Sequence, residues 1–180
     1  MVVSPKHNIT STYALDLIMS GQSLKDYYVT GKVELTGLDE FDMQVEVDNC
    51  IFEHFEAISS LFLKKVKLTN SDFKDCSFMF SYFPGGLEIA NCSFDSYIDF
   101  QAGGHNKENN CVFICNSTFK NFVNFFDCWY ESEVVIKNND FQQGTNLLGK
   151  PFNIPVTFDV KPIIENNKGQ LAFDNEGDGP

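Results

Sequence analysis

The sequence predicts an all-β protein, a single-stranded, right-handed parallel β-helix (a solenoid) of about six coils with a short N-terminal capping helix. Three observations predict this fold: one segment recurs along the chain, apolar residues alternate with period two inside it, and an asparagine follows each alternating run. Residues that are equivalent in successive coils of a solenoid stack on one another, so the recurring pattern also predicts the core.

The recurring segment carries the fold prediction. Its five clear copies are VEVDNCIF (45–52), VKLTNSDF (66–73), LEIANCSF (87–94), VFICNSTF (112–119) and VVIKNNDF (134–141), and PIIENNKG (162–169) is a degenerate sixth. The spacings between the central asparagines are 21, 21, 25, 22 and 28 for Asn49, Asn70, Asn91, Asn116, Asn138 and Asn166. A unit of this length is too short for a strand, a helix and a return, but it suits one coil of short strands and tight turns.

Each position within the unit has a predicted environment. The apolar residues two and four places before the asparagine form the buried face of a strand, and the phenylalanine three places after it forms a buried stack. The residues nine places after it predict a second buried column of Ile58, Met79, Phe100, Phe125 and Leu147, which would place all inserted residues later in the unit. The asparagines suit left-handed turns, where their side chains would form a buried ladder by bonding the backbone of neighbouring coils. The residue after each asparagine should be small and face inward.

The cysteines and the N-terminal sequence indicate the cellular compartment. Cys50 and Cys92 share a column two coils apart, roughly 9.6 Å, which is too far for a disulfide. The six cysteines show no CxxC pair, and the chain has neither a run of 18 apolar residues nor the apolar core of a signal peptide. We therefore expect free thiols in a cytoplasmic protein, with secretion still open if a leader was removed.

The chain divides into three parts by this interpretation. Residues 1–30 form an N-terminal cap, in which Ser11 or Thr12 begins a short helix that ends near Gly21. Residues 31–173 form the parallel β-helix. Residues 174–180 (DNEGDGP) form an acidic, disordered tail.

The charge excludes some partners. The 13 basic residues are all lysine, against 25 acidic residues, and the net charge is −12. Nucleic-acid and phosphate sites depend on basic patches and on arginine, so we expect no nucleic-acid partner. An anionic membrane surface is excluded for the same reason.

The pattern V-x-I-x-N-x-x-F at about 22 residues resembles the parallel β-helix repeat of the pectate-lyase-like superfamily over roughly residues 31–170. That superfamily includes lyases, hydrolases, adhesins and non-enzymes, so the resemblance implies the fold and transfers no catalytic residue. A weaker resemblance is to pentapeptide-repeat proteins. It rests on a five-residue recurrence of Leu68, Phe73, Phe78 and Phe83, with Ser71, Cys76 and Ser81 two places earlier.

Two insertions, 101–110 and 142–155, fall in the same part of the unit and should emerge on one side of the solenoid. The coil between them carries aromatic residues at that place, which favours solvated turns over a packed tryptophan, with a shallow ligand groove as the alternative. The candidate binding residues are His105, Lys107, Trp129, Tyr130 and Lys150.

A second candidate surface lies on the outward face of the first strand of each coil. Glu46, Lys67 and Glu88 form an alternating charge ladder there, and the next coils place Phe113 and Val135 in the same column. Exposed apolar residues predict a cover. The cover would be the C-terminal segment or, in a homodimer, a second copy of the chain.

The sequence favours a non-catalytic scaffold or binding protein with a protein or glycan partner. It names no catalytic residue, metal ligand or cofactor, since no fingerprint motif is present and the three histidines have no metal-like spacing. One alternative is a polysaccharide-active lyase or hydrolase, for which Asp95 and Asp99 are the candidate carboxylate pair. The other alternative is an acidic, pentapeptide-like DNA mimic that inhibits a DNA-handling enzyme.

Overall fold

A computed structural model describes residues 7–177 and 179 of the chain. These residues form a parallel β-solenoid of about six coils with one short helix, as the sequence predicted. Each coil passes through four short segments in turn. Equivalent segments of successive coils stack by parallel pairing into four rows, which we number in chain order from the strand that precedes each asparagine.

The first two rows are the longest sheets. The first row consists of β2 (Leu24–Lys25), β4 (Val45–Asp48), β6 (Val66–Thr69), β9 (Leu87–Ala90), β12 (Val112–Cys115), β16 (Val134–Lys137) and β19 (Ile163–Glu165). The second row consists of β1 (His7–Thr10), β3 (Tyr27–Glu34), β5 (Ile51–Glu56), β7 (Asp72–Phe73), β10 (Ser93–Phe94), β13 (Thr118–Phe119) and β17 (Asp140–Phe141).

The third and fourth rows are shorter. The third row contains the end of β5 and then β8 (Cys76–Ser77), β11 (Ile98–Asp99) and β14 (Val123–Asn124). In the fourth row β15 (Trp129–Tyr130) pairs with β18 (Thr157–Phe158), and single bridges continue the row through Gly104, Tyr82 and Leu61. In the coil that starts at β6, the buried residues Leu68, Phe73, Phe78 and Phe83 supply one inward side chain to each row.

The predicted phenylalanine stack is confirmed. Along the second row the ring centroids are 5.3, 4.9, 5.1 and 4.9 Å apart, and neighbouring rings are within 10° of parallel, for Phe52, Phe73, Phe94, Phe119 and Phe141. All five side chains are buried. Parallel pairing places each ring directly over the previous one, so a single side-chain type fills the same space in every coil.

The second predicted buried column, nine residues after each asparagine, is wrong for its first two residues, Ile58 and Met79. Phe78, Phe100 and Phe125 stack in the third row with centroids 5.1 Å apart. Phe78 lies eight residues after its asparagine and Phe100 lies nine after, so one inserted residue precedes Phe100. Ile58 and Met79 therefore lie one place beyond the inward position and are only half-buried.

The asparagines adopt the predicted left-handed conformation. Their φ angles are 51°, 52°, 56°, 53°, 57° and 55° for Asn49, Asn70, Asn91, Asn116, Asn138 and Asn166. Buried hydrogen bonds of asparagine side chains are present, as predicted, but they are made by other asparagines such as Asn139 and Asn146. The side chains of the predicted column are exposed, except the half-buried Asn49. Their side-chain bonds are to outward neighbours, as when Asn70 Nδ2 donates to Asp48 Oδ1 at 2.7 Å.

The buried ladder lies one residue later, in the column predicted to hold small inward side chains. The Ser71 hydroxyl accepts the Cys50 N–H at 2.9 Å, and the Ser117 hydroxyl accepts the Cys92 N–H at 3.1 Å. Asn139 Oδ1 accepts the Ser117 N–H at 3.0 Å, and its Nδ2 donates to the Ile114 carbonyl at 2.8 Å. The ladder thereby satisfies backbone groups that the turn into the second row leaves buried without a strand partner.

The N-terminal end is closed by the predicted helix. Helix α1 (Ser11–Met19) is capped by the hydroxyl of Thr10, which accepts the Tyr13 N–H at 3.3 Å. Its buried side chains, Ala14 and Ile18, pack on the first strands. Stacked pairing begins before residue 31, since β1 pairs with β3 and β3 with β5. Among the described residues no helix is long and apolar enough to span a membrane.

The C-terminal segment lies along the third row. The Thr145 N–H donates to the Gln170 carbonyl at 2.9 Å, and Asn146 Nδ2 donates to the Asn175 carbonyl at 3.1 Å. The Tyr97 hydroxyl donates to the Glu176 carbonyl at 3.0 Å. Residues 174–177, which the sequence assigned to a disordered tail, thus contact the coils, while Asp178 and Pro180 lie outside the described residues.

Replacing Asn139 by leucine should destabilise the protein strongly. Leucine leaves the buried Ser117 N–H and Ile114 carbonyl without their partners, so we expect the free energy of unfolding to fall by about 3 kcal/mol. Asn138→Gly is the matched control at the neighbouring position, because the Asn138 side chain is exposed and its positive φ suits glycine. Urea unfolding measures both. Equal stability of the two variants would contradict a stabilising ladder.

The six thiols should differ in reactivity. All six cysteines are free, as expected for Cys50 and Cys92, and only Cys111 is not fully buried. Burial raises the pKa of Cys50 to about 11 and that of Cys128 to about 12, so few thiolates are available at neutral pH. We expect a thiol reagent to label Cys111 first in the folded protein and all six only after unfolding. Fast labelling of Cys111→Ser would contradict this.

Candidate functional site

An exposed aromatic strip, formed by Tyr82, His105 and Trp129, runs along the outside of the fourth row. The ring centroids of Tyr82 and His105 are 4.2 Å apart, and those of His105 and Trp129 are 5.4 Å apart. Tyr82 is 40% exposed and Trp129 is 45% exposed. Three successive coils thereby present aromatic surface to solvent in one line.

Gly104 determines how the strip is built. It pairs with both Tyr82 and Trp129, so it occupies the place between their two rings. A Cβ atom on Gly104 would lie 2.4 Å from the Trp129 carbonyl oxygen, and its φ of +106° also favours glycine. The missing ring is supplied by the next residue, His105, which turns outward with a φ of 58°.

Charged groups border the strip on one side. Glu131 bonds His105 Nδ1 at 3.0 Å with one oxygen and the Lys107 ammonium with the other. The hydrogen bond from Lys107, followed by that from His105, lowers the pKa of Glu131. Trp129 Nε1 donates to Asp159 Oδ1 at 3.0 Å. The indole and imidazole rings are therefore held in place by their polar neighbours.

Three of the five predicted binding residues come together here, namely His105, Lys107 and Trp129. Tyr130 does not join them, because its side chain points inward, is only 3% exposed and stacks on Phe158 with centroids 5.5 Å apart. Alternation along β15 explains this, since neighbouring residues of a strand face opposite sides. Lys150 is exposed, and in the described residues no hydrogen bond or ion pair joins its side chain to the strip.

Sequence reasoning missed Tyr82, Glu131 and Asp159. Tyr82 precedes the inward Phe83, so alternation alone marks it as an outward residue. Its alignment with Trp129 depends on how the insertion 101–110 is accommodated, and the repeat does not determine that. Asp159 reaches the strip because β18, which follows the second insertion, pairs with β15.

Phe113 and Val135, the predicted interface residues, lie side by side on the outward face of the first row. They are half-buried, and the column continues from Glu88 through them to Ile163. The expectation that the C-terminal segment covers them is wrong. That segment bonds to Thr145, Asn146 and Tyr97 of the third row instead.

A groove of about 520 Å³ lies on the third row beside the end of the C-terminal segment. Asp99 lines it, and Asp99 Oδ1 accepts the Gln101 N–H at 2.8 Å and Asn124 Nδ2 at 3.1 Å. Asp95 is exposed on the second row and pairs with Lys120 at 2.7 Å. The two aspartates therefore have separate partners and do not line one cleft as a catalytic pair would.

The described residues contain no group of three His, Cys, Asp or Glu side chains placed to hold a metal ion. Comparisons with protein-family models, with curated proteins and with solved structures find no match for the chain. The geometry of the aromatic strip and its charged border is therefore the basis for inferring function.

Asp99→Asn should stabilise the protein at neutral pH. Burial raises the pKa of Asp99 above its ordinary value of 3.8, so ionisation costs more in the folded state than in the unfolded state. The contribution of Asp99 to the free energy of unfolding is therefore complete below pH 3.8, where the carboxyl is protonated in both states. It declines as the pH rises through the folded-state pKa of Asp99. Asparagine keeps the accepting oxygen and matches Asn124 and Asn146 in the same column.

Thermal unfolding across the pH range measures the Asp99→Asn effect. The variant should melt above the wild type at pH 7, and the difference should vanish at low pH. Asp95→Asn is the control, since it removes an exposed ion pair with Lys120 and should bring no gain. Destabilisation by Asp99→Asn at neutral pH would contradict the cost of ionising this buried carboxyl.

Proposed function

We propose that the protein is a non-catalytic β-helix binding protein and that its aromatic strip binds a glycan. The observation that carries the proposal is the line of rings on Tyr82, His105 and Trp129. Tyr82 and Trp129 are exposed to solvent, and polar partners hold the His105 and Trp129 rings. The C–H faces of a sugar ring stack on the electron-rich faces of aromatic rings. Three rings over two coil spacings, roughly 9.6 Å, provide a platform for a short oligosaccharide.

The polar border supports a glycan as the ligand. Glu131, Lys107 and Asp159 lie beside the rings, where they can exchange hydrogen bonds with sugar hydroxyls. The net charge of −12 disfavours an anionic polysaccharide, so the proposed ligand class is a neutral glycan. A protein partner, the other class that the sequence left open, also fits aromatic side chains. The solvated charges beside the rings favour the more polar ligand.

The two alternative functions are less well supported. A glycosidase needs one carboxyl held protonated near the scissile bond, whereas Glu131 at the strip has a lowered pKa and both oxygens engaged. A DNA mimic needs a stripe of one charge sign. Opposite charges instead alternate from coil to coil, as in the pairs of Lys67 with Glu46 at 3.4 Å and Lys137 with Glu165 at 3.1 Å.

Tryptophan fluorescence provides a direct test, because Trp129 is the single tryptophan of the chain. A glycan array first identifies the neutral oligosaccharides that bind the protein. Titration with these oligosaccharides should shift or quench the Trp129 emission. Trp129→Ala should weaken binding, measured by calorimetry, by about 30-fold, and Tyr82→Ala should also weaken it.

Tyr13→Ala is the matched control for these variants, since Tyr13 is 50% exposed on the helix at the far end of the solenoid. It should bind as tightly as the wild type. The proposal would be contradicted if no neutral glycan on the array bound the protein, or if the Trp129→Ala variant bound as tightly as the wild type. Cleavage products in the bound mixture would favour the polysaccharide-active alternative.

A further inference from the structure

The C-terminal segment is anchored to the solenoid by Phe173. The Phe173 ring meets the Phe122 ring edge on, with centroids 5.7 Å apart, and a Cβ atom on Gly144 would overlap the Phe173 ring. The next residue is also held, because Asp174 Oδ1 accepts the Lys150 N–H at 2.8 Å. The segment is therefore fixed to the last coils as far as Asp174.

Residues 175–177, which we call the latch, are held to the coils by two hydrogen bonds among the described residues. The Asn175 carbonyl accepts a bond from Asn146 Nδ2 at 3.1 Å, and the Glu176 carbonyl accepts a bond from the Tyr97 hydroxyl at 3.0 Å. A segment held by so few bonds can open locally while the rest of the protein stays folded.

The latch covers polar side chains that point outward. Alternation along β14 points Asn124 away from the core, yet Asn124 is 0% exposed, and Asn146 in the next coil is 1% exposed. Asn146 Nδ2 donates to Asn124 Oδ1 at 2.6 Å, and Asn124 Nδ2 donates to Asp99 Oδ1 at 3.1 Å. This polar column emerges at Asp99 in the groove on the third row. Opening of the latch would expose the column and lengthen the groove.

Two carboxylates share the groove beside the latch. Asp99 belongs to the third row and Glu176 to the latch, and in the described residues neither has an ion pair. Burial raises the pKa of Asp99 and the charge of Glu176 adds to this, which the hydrogen bonds from Gln101 and Asn124 oppose. Burial, followed by the charge of Asp99, also raises the pKa of Tyr97, so the hydroxyl that holds the latch remains a donor at neutral pH.

The other charged side chains around the latch have partners of their own. They form three pairs at 2.8, 3.1 and 2.7 Å, namely Glu56 with Lys32, Asp75 with His54, and Asp95 with Lys120. The carboxylates of the first two pairs line the groove, whereas Lys120 lies on the opposite side of the latch. The Cys76 thiol, also in the groove, stays neutral because burial raises its pKa. The charges of Asp99 and Glu176 are therefore left uncompensated by their described neighbours.

We propose that the latch is a pH-sensitive switch, which closes over the third row in acid and opens as Asp99 ionises. Opening separates Glu176 from Asp99 and admits water to the Asp99 carboxyl, so the ionised carboxyl favours the open state. Closure is therefore strongest below pH 3.8 and weakens as the pH rises through the raised pKa that Asp99 has in the closed state. The switch lies on the third row and does not depend on the glycan proposal.

Nuclear magnetic resonance relaxation of the full chain tests the switch, because backbone order parameters report the motion of each amide. In the wild type, the Glu176 and Gly177 amides should have order parameters of about 0.85 in acid and below about 0.6 at pH 7. The amides of Val123 and Phe125, in the coil beneath the latch, should stay rigid at both pH values.

Variants assign the switch to the two carboxylates. Asp99→Asn removes the charge and keeps the accepting oxygen, so its latch should stay closed at pH 7. Glu176→Gln removes the other charge and should also close the latch at pH 7. Asp16→Asn is the matched control, because Asp16 is exposed on α1 and the change in net charge is the same. Its latch should open at pH 7 as that of the wild type does.

Three results would overturn the proposal. The first is a wild-type latch that is equally rigid, or equally mobile, at both pH values. The second is an Asp99→Asn latch that is as mobile at pH 7 as that of the wild type. The third is closure by Asp16→Asn as well, which would show that net charge and not the Asp99 contact holds the latch open. The comparison of variants at pH 7 decides the question even if the coils lose order in acid.

Discussion

Parallel backbone pairing between successive coils is the constraint on which the rest of the structure depends. It fixes the coil spacing at roughly 4.8 Å and forces each residue to lie over its equivalent in the previous coil. Flat aromatic rings suit this spacing, which explains the near-parallel stack from Phe52 to Phe141. The same constraint requires every turn to repeat its geometry, and the asparagines meet that requirement with a positive φ.

Stacking buries apolar side chains, but it also buries backbone N–H groups that need hydrogen-bond acceptors inside the core. The chain turns sharply after each asparagine, and the next backbone N–H points along the solenoid axis without a strand partner. Ser71, Ser117 and Asn139 accept such N–H groups with side-chain oxygens. The exposed asparagines thus make the turn, and the buried residues that follow them compensate its cost in hydrogen bonds.

The outside of the solenoid follows the same rule with different residues. Ion pairs join side chains of neighbouring coils at several places on the surface, as Lys120 does with Asp95. On the first row the charged column gives way to apolar residues at Phe113 and Val135. On the fourth row Gly104 lets aromatic rings form the line to which the proposed function is assigned.

The sequence by itself determined the solenoid, the inward columns and the turn at each asparagine, because a repeated pattern acts on many coils at once. It also placed His105, Lys107 and Trp129 on one side, since the insertions fall in one part of the unit. It misplaced Ile58, Met79 and Tyr130, because a one-residue shift in a strand moves a side chain to the opposite face. Only the tertiary structure decided where the inserted residues lie, and hence that Tyr82 and Asp159 join the strip. It also decided the path of the C-terminal segment, since no repeat constrains a segment that occurs once.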